Sequence, residues 1–283
     1  MKISTETYPL DGSLGYVGAV EALAKIGFDY YDFSMFGMSV KGDPINGDNY
    51  REAALEIRRA ADRVGIRCNQ SHAPFPFVKP GNDEWNKNIF DWLVRALEIT
   101  SILGGKNCIM HPWKPWTAQE NAERIFLPLT PYAKKYGVKI AIENMFLPNP
   151  ETGRMVPCCC STAASFLEHL SLLDPEWCVA CLDIGHAELL GDCVSAVEMI
   201  HALGDRLQAL HVQDNDHIGD LHIIPYLGQI EWEKVCKALK EVGYRGEFTF
   251  EAHQFVKKFP KEMEIPATRF MYELGRCMTS RFF

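Results

Sequence analysis

His211, His217 and His222 interleave with Asp214, Asp216 and Asp220 directly after the apolar run 207–210. Imidazoles and carboxylates hold divalent cations, and they also move protons on and off carbon. A strand buried in a parallel sheet tolerates no charge along its length, but its C-terminal end can present charged groups to solvent, substrate or metal. The arrangement recurs, because other apolar runs end in His72, in His111, in Glu143, in Asp183 with His186 three residues on, and in Glu251. Any one of these alone reads as a hydrogen-bonded polar residue at a strand end. Taken jointly they do not, since carboxylates gathered out of water repel one another and lose hydration unless a cation offsets them. Glu143, Asp183, His211 and Glu251 form a mostly oxygen donor set. It suits one divalent metal ion, Mn²⁺ first, with Mg²⁺, Zn²⁺ and Co²⁺ tolerated.

Such ends need strands to carry them. Short apolar or β-branched runs alternate with longer segments of helical periodicity, the pattern of βα units on a parallel sheet. Strands are expected at 2–5, 30–34, 66–70, 107–110, 139–142, 178–182, 207–210 and 247–250, and helices at about 15–26, 48–64, 83–103, 117–136, 162–172, 194–203, 232–242 and 261–278. Gly27, Gly65 and the pair Gly104-Gly105 read as helix terminators. Pro128 and Pro131 should kink or split their helix. In the helix 83–103, Trp85, Ile89, Trp92, Leu93, Ala96 and Ile99 recur at helical spacing, as on a face packed against the sheet. Strict alternation of this kind predicts one (β/α)₈ TIM barrel spanning residues 1–283. A doubly wound open sheet would need a glycine-rich phosphate loop straight after a strand, and the glycines between 12 and 18 have neither that place nor that spacing.

Composition narrows the function classes. With 283 residues, 47% of them hydrophobic, the chain can bury a large core without staples. It shows no apolar stretch of membrane-spanning length and no secretory pattern in its opening Met-Lys-Ile-Ser-Thr-Glu, so the expectation is a soluble, cytoplasmic protein with no membrane partner. A net charge of −8 disfavours nucleic acid, whose binding draws on Lys and Arg neutralising phosphates. Of the ten cysteines, Cys68, Cys108, Cys178 and Cys181 fall in or beside expected core strands and read as reduced core residues. Cys178 and Cys181 have a CxxC spacing but no second CxxC. The run Cys158-Cys159-Cys160 follows a proline-rich loop, and the sequence leaves a reactive and a merely local role both open.

Ile142-Glu143-Asn144, Leu182-Asp183-Ile184-Gly185-His186, His211-Val212-Gln213-Asp214, Asp220-Leu221-His222 and the turn Gly228-Gln229-Ile230 resemble the xylose isomerase-like TIM-barrel superfamily over nearly the whole chain. The group includes sugar and sugar-phosphate isomerases, ketose 3-epimerases, inosose-processing enzymes and endonuclease IV. The resemblance implies a metal held by Glu143, Asp183, His211 and Glu251, with Glu143 and Glu251 as the catalytic pair that removes a proton from carbon and returns one. The metal would polarise substrate oxygens and stabilise the enediolate between those steps. His186, His72, His111, Trp113, His217, Asp220 and His222 would contact the substrate, a small carbohydrate. This chain departs from ketose 3-epimerases in having His217 where they carry an arginine and Asn149 where they carry a second glutamate. The class therefore stays broad: isomerisation or epimerisation of a sugar, polyol or sugar derivative, with dehydration of an inosose or keto-sugar as its chemical neighbour.

The contrasting reading is an endonuclease IV-like zinc phosphodiesterase acting on abasic DNA. It rests on likeness to all nine ligands of that enzyme: His72, His111, Glu143, Asp183, His186, His211, Asp220, His222 and Glu251. Against it stand the acidic charge and mouth loops rich in Phe75, Phe77, Trp113, Trp116, Phe146 and Tyr226, which suit the apolar face of a sugar ring better than a phosphate backbone. A non-catalytic barrel would not need acids at both 143 and 251. Arg154, Lys257 and Lys258 are the cations available to a substrate phosphate, and the outer helices, with Trp85 and Trp92, are available to a second copy of the chain.

Overall fold

The computed structural model describes residues 1–191 and 194–283. Its parallel strands are β1 (Ile3–Thr5), β2 (Tyr30–Ser34), β3 (Arg67–His72), β4 (Asn107–Met110), β5 (Lys139–Glu143), β6 (Cys178–Asp183), β7 (Leu207–His211) and β8 (Phe248–Phe250). Strands β2 to β7 form one six-stranded sheet in chain order, and β1 pairs with β8. Single parallel bridges, Glu6 to Asp32 and Val212 to Phe250, join that pair to both edges of the sheet and close a TIM barrel.

The barrel has two apolar layers. Ile109, Ala141, Val179, Cys181 and Ala209 form a small separate cluster of inward-facing residues, while the main core lies between the sheet and the outer helices. Cys178 belongs to the main core and Cys181 to the inner cluster. Positions three apart on a strand face opposite sides of the sheet, so this CxxC spacing cannot converge on one ion.

The strands run further than their apolar content indicates. β3 reaches His72, and β5, β6 and β7 each end on the charged residue itself, Glu143, Asp183 and His211. Register places Asp183 beside His211 and Glu143 beside Cys181. These side chains are therefore fixed by ladder hydrogen bonds and do not ride on loops. The first helix starts at Tyr8, where 15 was expected, because Gly15 (φ 68°) joins two helical pieces and does not begin one. The helix carrying Pro128 splits into Ala118–Asn121, a π-turn Ala122–Phe126 and Leu127–Tyr136, so that Pro128 falls in a first turn, where no N–H is required. Short helices Ile184–Glu188 and His253–Lys257, too brief to show periodicity, follow β6 and β8. No helix among the described residues is long and apolar enough to cross a membrane.

Candidate active site

At the C-terminal end of the barrel Glu143, Asp183, His211 and Glu251 bring one ligand atom each within 4.8 Å of one another, all of them buried. His211 Nδ1 lies 3.2 Å from Glu143 Oε1 and 3.3 Å from Glu251 Oε2. Its other nitrogen, Nε2, is 3.2 Å from Asp32 Oδ2, and Asp32 is itself held by Gln70 Nε2 donating at 2.8 Å. An Nε2–H donated to Asp32 fixes the ring with Nδ1 facing the carboxylates, which push the imidazole's pKa well up against burial, and a cation bound there would take the place of the Nδ1 proton.

Asp183 serves two elements at once. Its Oδ1 accepts the His186 N–H at 2.7 Å and caps the helix Ile184–Glu188, while its Oδ2 is buried without a partner. Glu251 Oε2 is likewise without a hydrogen bond. Two orphaned carboxylate oxygens beside an imidazole lone pair are what a divalent cation would satisfy, so these residues fit the expected metal.

Electrostatics agree. Burial alone would raise Glu143, but His211 and His111 hold it well below the usual carboxylate range. Burial drives Glu251 well above that range, and the nearby Glu143, Glu6 and Asp183 push the same way against the pull of His211. Carboxylates crowded enough to push one of their number into its protonated form are what a bound cation would relieve.

Two further groups flank this centre. His72, Glu143 and His211 form one, and His186, Asp220 and His222 the other. His72 Nδ1 donates to Ala73 O at 2.8 Å, His186 Nδ1 to Asn144 O at 2.9 Å and His222 Nδ1 to Glu251 O at 2.9 Å, while His222 Nε2 lies 3.1 Å and His186 Nε2 3.5 Å from Asp220 Oδ2, and His72 Nε2 lies 3.1 Å from His111 Nε2, below the cavity lining. His111 Nε2 lies 2.9 Å from Glu143 Oε2. Burial lowers His111 to about 4 despite that neighbour, whereas Asp183, Asp220 and Glu143 overcome burial and carry His186 up to about 10.

A cavity of about 640 Å³ opens over these groups, lined by His111, Trp113, Lys114, Glu143, His186, Asp220, His222 and Glu251. Its apolar side is made by Tyr8, Phe36, Phe75, Trp85 and Phe146. Lys114 Nζ sits 4.2 Å from the Phe146 ring centroid, and burial lowers its pKa.

Several expected contacts are placed elsewhere. His217 does not line the cavity: its Nδ1 lies 3.0 Å from Glu188 O and its Nε2 3.3 Å from Gln229 O, and with φ at 62° it serves the loop that carries it. Phe77 and Trp116 pack on each other at 5.8 Å, and Tyr226 points outward, half exposed. Trp85, read as part of a helix face packed on the sheet, is buried, donates to Pro76 O and lines the cavity. Arg154, Lys257 and Lys258 are exposed and outside the lining.

Glu6, Asp32 and His253 were not anticipated from the sequence. Glu6 Oε1 lies 3.1 Å from His253 Nδ1, and His253 stacks obliquely on His222 with ring centroids 4.6 Å apart. The signal for Asp32 was an acid in the middle of the otherwise apolar run 30–34, and for Glu6 an acid directly after the first strand. Glu6 extends to β1 the strand-end pattern of the later strands, whereas Asp32 reaches the site from the middle of β2.

The loop after β7 explains the rest of its motif. Asp214 accepts from the backbone of Asn215, Tyr226 and Ile230 and from Trp232 Nε1 at 2.8 Å, so it shapes the turn and faces no metal. Gln213 Nε2 donates to Asp183 Oδ1 and Asp220 Oδ1, tying the central group to the outer one.

The sequence pattern of the xylose isomerase-like TIM barrel family matches residues 20–271. The Sinorhizobium fredii protein y4fM is 24% identical over 250 residues, 75% of this chain and 76% of that protein. Among solved structures, a D-tagatose 3-epimerase-like protein superposes with a TM-score of 0.72 at 22% identity, covering 99% of each chain. The IOLI protein with a bound zinc atom superposes at 0.74 with 19% identity, covering 100% of this chain and 99% of that one. At these identities the superpositions speak for the fold.

Proposed function

The chain belongs to the xylose isomerase-like TIM-barrel family, and from that premise we propose that it is a divalent-metal-dependent isomerase or epimerase of a sugar, polyol or sugar derivative. The observation that carries the reading is the placing of Glu143 and Glu251 against His211 Nδ1, at 3.2 and 3.3 Å, with Asp183 completing a buried four-residue donor set. Names of the structural neighbours, a ketose 3-epimerase-like protein and a zinc-binding IOLI protein, support it.

Glu143, Asp183, His211 and Glu251 would hold the ion, which when bound supplies Lewis-acid polarisation of a substrate carbonyl. Mn²⁺ is favoured by the three carboxylates, with Mg²⁺, Zn²⁺ and Co²⁺ compatible with the same set. The chain's own residues do the proton work. Glu143 takes the proton from the carbon beside the carbonyl, and Glu251 returns one to the opposite face or to the adjacent carbon. His186 and His222, with Nδ1 committed to backbone carbonyls, turn Nε2 toward Asp220, and this polar edge of the cavity would meet the substrate hydroxyls. Trp113 and Phe146 cover the apolar face of the ring and Lys114 meets an oxygen at the rim. The cavity volume of about 640 Å³ accommodates a monosaccharide or a glycoside of one.

The test is solvent exchange. The Mn²⁺-loaded protein is incubated in D₂O with ketoses, aldoses, inososes and keto-glycosides, and deuterium is sought by NMR on carbon beside a carbonyl. Incorporation into one class identifies chemistry and substrate together. Silence across the panel, with cleavage of abasic-site DNA and three zinc ions per chain, would replace this reading by the phosphodiesterase, for which the three adjoining ligand groups are the favouring observation.

A further inference from the structure

Behind the wall of the cavity lies a cluster with no part in the chemistry above. Cys159 Sγ is 3.5 Å from Cys160 Sγ and 3.4 Å from His169 Nδ1. Cys160 and His169 are fully buried, Cys159 half-buried. His169 comes from the helix Ala163–Ser171, whose start is fixed by a capping box between Thr162 and Ser165. Adjacent residues of an extended chain point to opposite sides, so two neighbouring thiols meet only if the backbone turns sharply. It does so at Cys160, which has φ 65°, a left-handed conformation costing a non-glycine residue about 1 kcal/mol or more. The three candidate ligand atoms, Cys159 Sγ, Cys160 Sγ and His169 Nδ1, all lie within 4.8 Å of one another.

We propose that Cys159, Cys160 and His169 form a second metal site, for a thiophilic closed-shell cation of the zinc class, independent of the ion in the barrel mouth. Zinc bonds of about 2.3 Å to sulfur and about 2.0 Å to nitrogen imply tetrahedral edges of roughly 3.8 Å between sulfurs and roughly 3.5 Å from sulfur to nitrogen. The observed separations of 3.5 and 3.4 Å are within a few tenths of an ångström of those edges, so little needs to move. Two thiolates would neutralise the dication in a site too buried to hold a bare charge. Cys158 stays outside the set, since its Sγ accepts from Ser161 Oγ.

The position gives the ion a structural task. Asn121, which is close enough to Cys159 to lower its pKa, binds both the N–H (2.7 Å) and the carbonyl (3.2 Å) of Trp113. An ion on the cysteines would clip the loop after β5 to the helix Ala163–Ser171 and, through Asn121, brace the loop that carries Trp113 into the cavity.

Cobalt distinguishes the two sites, because only thiolate ligation gives an intense near-ultraviolet sulfur-to-cobalt charge-transfer band, and the mouth offers oxygen and nitrogen alone. The full chain, reduced and stripped with chelator, is titrated with Co²⁺. The band should appear, be displaced by Zn²⁺, be lost in Cys159→Ser and persist in Glu143→Gln. In wild-type protein Zn²⁺ should also shield Cys159 and Cys160 from iodoacetamide, read by peptide mass, which keeps the test independent of whether the variant folds. Visible cobalt absorbance with no charge-transfer band would overturn the proposal. So would a band that survives Cys159→Ser combined with Cys160→Ser, or isolation of the pair as a disulfide that takes up no cobalt after reduction.

Discussion

The barrel carries a cavity at each end, and their volumes are close, about 640 Å³ at the C-terminal mouth and about 580 Å³ at the N-terminal floor. Both are lined by charge. At the floor the charges are Arg58, Asp62, Arg67, Lys106, Lys139, Asp205, Arg245 and Glu247, all of them exposed or partly exposed. Arg58 and Asp62 pair across one helical turn at 2.9 Å, in water, where such a pair contributes little. At the mouth the charges are on strand ends, buried, with Asp183 Oδ2 and Glu251 Oε2 left without partners. A cavity becomes a site where ionisable groups are held out of water by the sheet before anything arrives to satisfy them. Volume and charge count alone do not separate the two ends.

The strongest way to break this comparison is to neutralise one end at a time. Glu143→Gln and Glu251→Gln should each lower solvent-proton exchange about 10³-fold while leaving the protein folded. Arg67→Ala at the floor should leave exchange unchanged. Comparable losses from Arg67→Ala, or activity surviving either glutamine, would remove the distinction and the two-base mechanism with it.

One step from the centre, Asp32→Asn should weaken metal affinity about 10- to 100-fold, because the Nε2–H of His211 would lose its carboxylate acceptor and the ring its orientation. Titration calorimetry with Mn²⁺ and Zn²⁺ measures this directly. An affinity equal to wild type would make Asp32 a bystander and place the mouth's selectivity wholly in the first four residues.

How legible was this asymmetry in the sequence? The barrel was, because strand and helix periodicities differ and glycines such as Gly65 and Gly104 punctuate them. Glu143, Asp183, His211 and Glu251 were gathered as expected, since strand ends converge wherever eight strands close a ring. Side-chain direction was not legible. His217 turns away because Asn215 Oδ1 accepts its N–H and the backbone enters the left-handed region there, a detail of loop geometry with no periodic signal. Glu6 and Asp32 escaped notice because the run of strand-end ligands was read from the third strand onward. The Cys159 cluster depends on a single turn at Cys160, which composition cannot reveal.

A smaller effect tests the loop that frames the mouth. A Cβ at Gly228 would lie 2.2 Å from Asn215 O and 2.3 Å from Asp214 Oδ1, the acceptor around which the turn is organised. Gly228→Ala should therefore destabilise the protein by about 1–3 kcal/mol in urea unfolding, as overpacking does. It should also raise KM, since the same loop positions Asp220 and His222. Loss of stability without any change in KM would show that the loop's hydrogen bonds support the fold alone.

The smallest effect concerns an acid at the mouth end that has no imidazole beside it. Asp11, in the first turn of the helix Tyr8–Ile26, accepts from Thr7 Oγ1 at 3.2 Å and has its other oxygen unpartnered. Burial pushes its carboxyl up to about 8, opposite in direction to Glu143, with Glu6 and Asp43 adding to the push. A carboxyl whose folded pKa exceeds its unfolded value binds its proton more tightly when folded, so the stability it contributes falls as pH climbs from about 4 to about 8 and then levels off. Asp11→Asn stays neutral throughout. The variant should match wild type near pH 4 and exceed it progressively to pH 8, reaching about 1–2 kcal/mol for this partly solvated group when both are unfolded in chelator. A difference independent of pH would mean that Asp11 is ionised in the folded protein. Buried acids at this end would then not need histidines or a cation to remain charged.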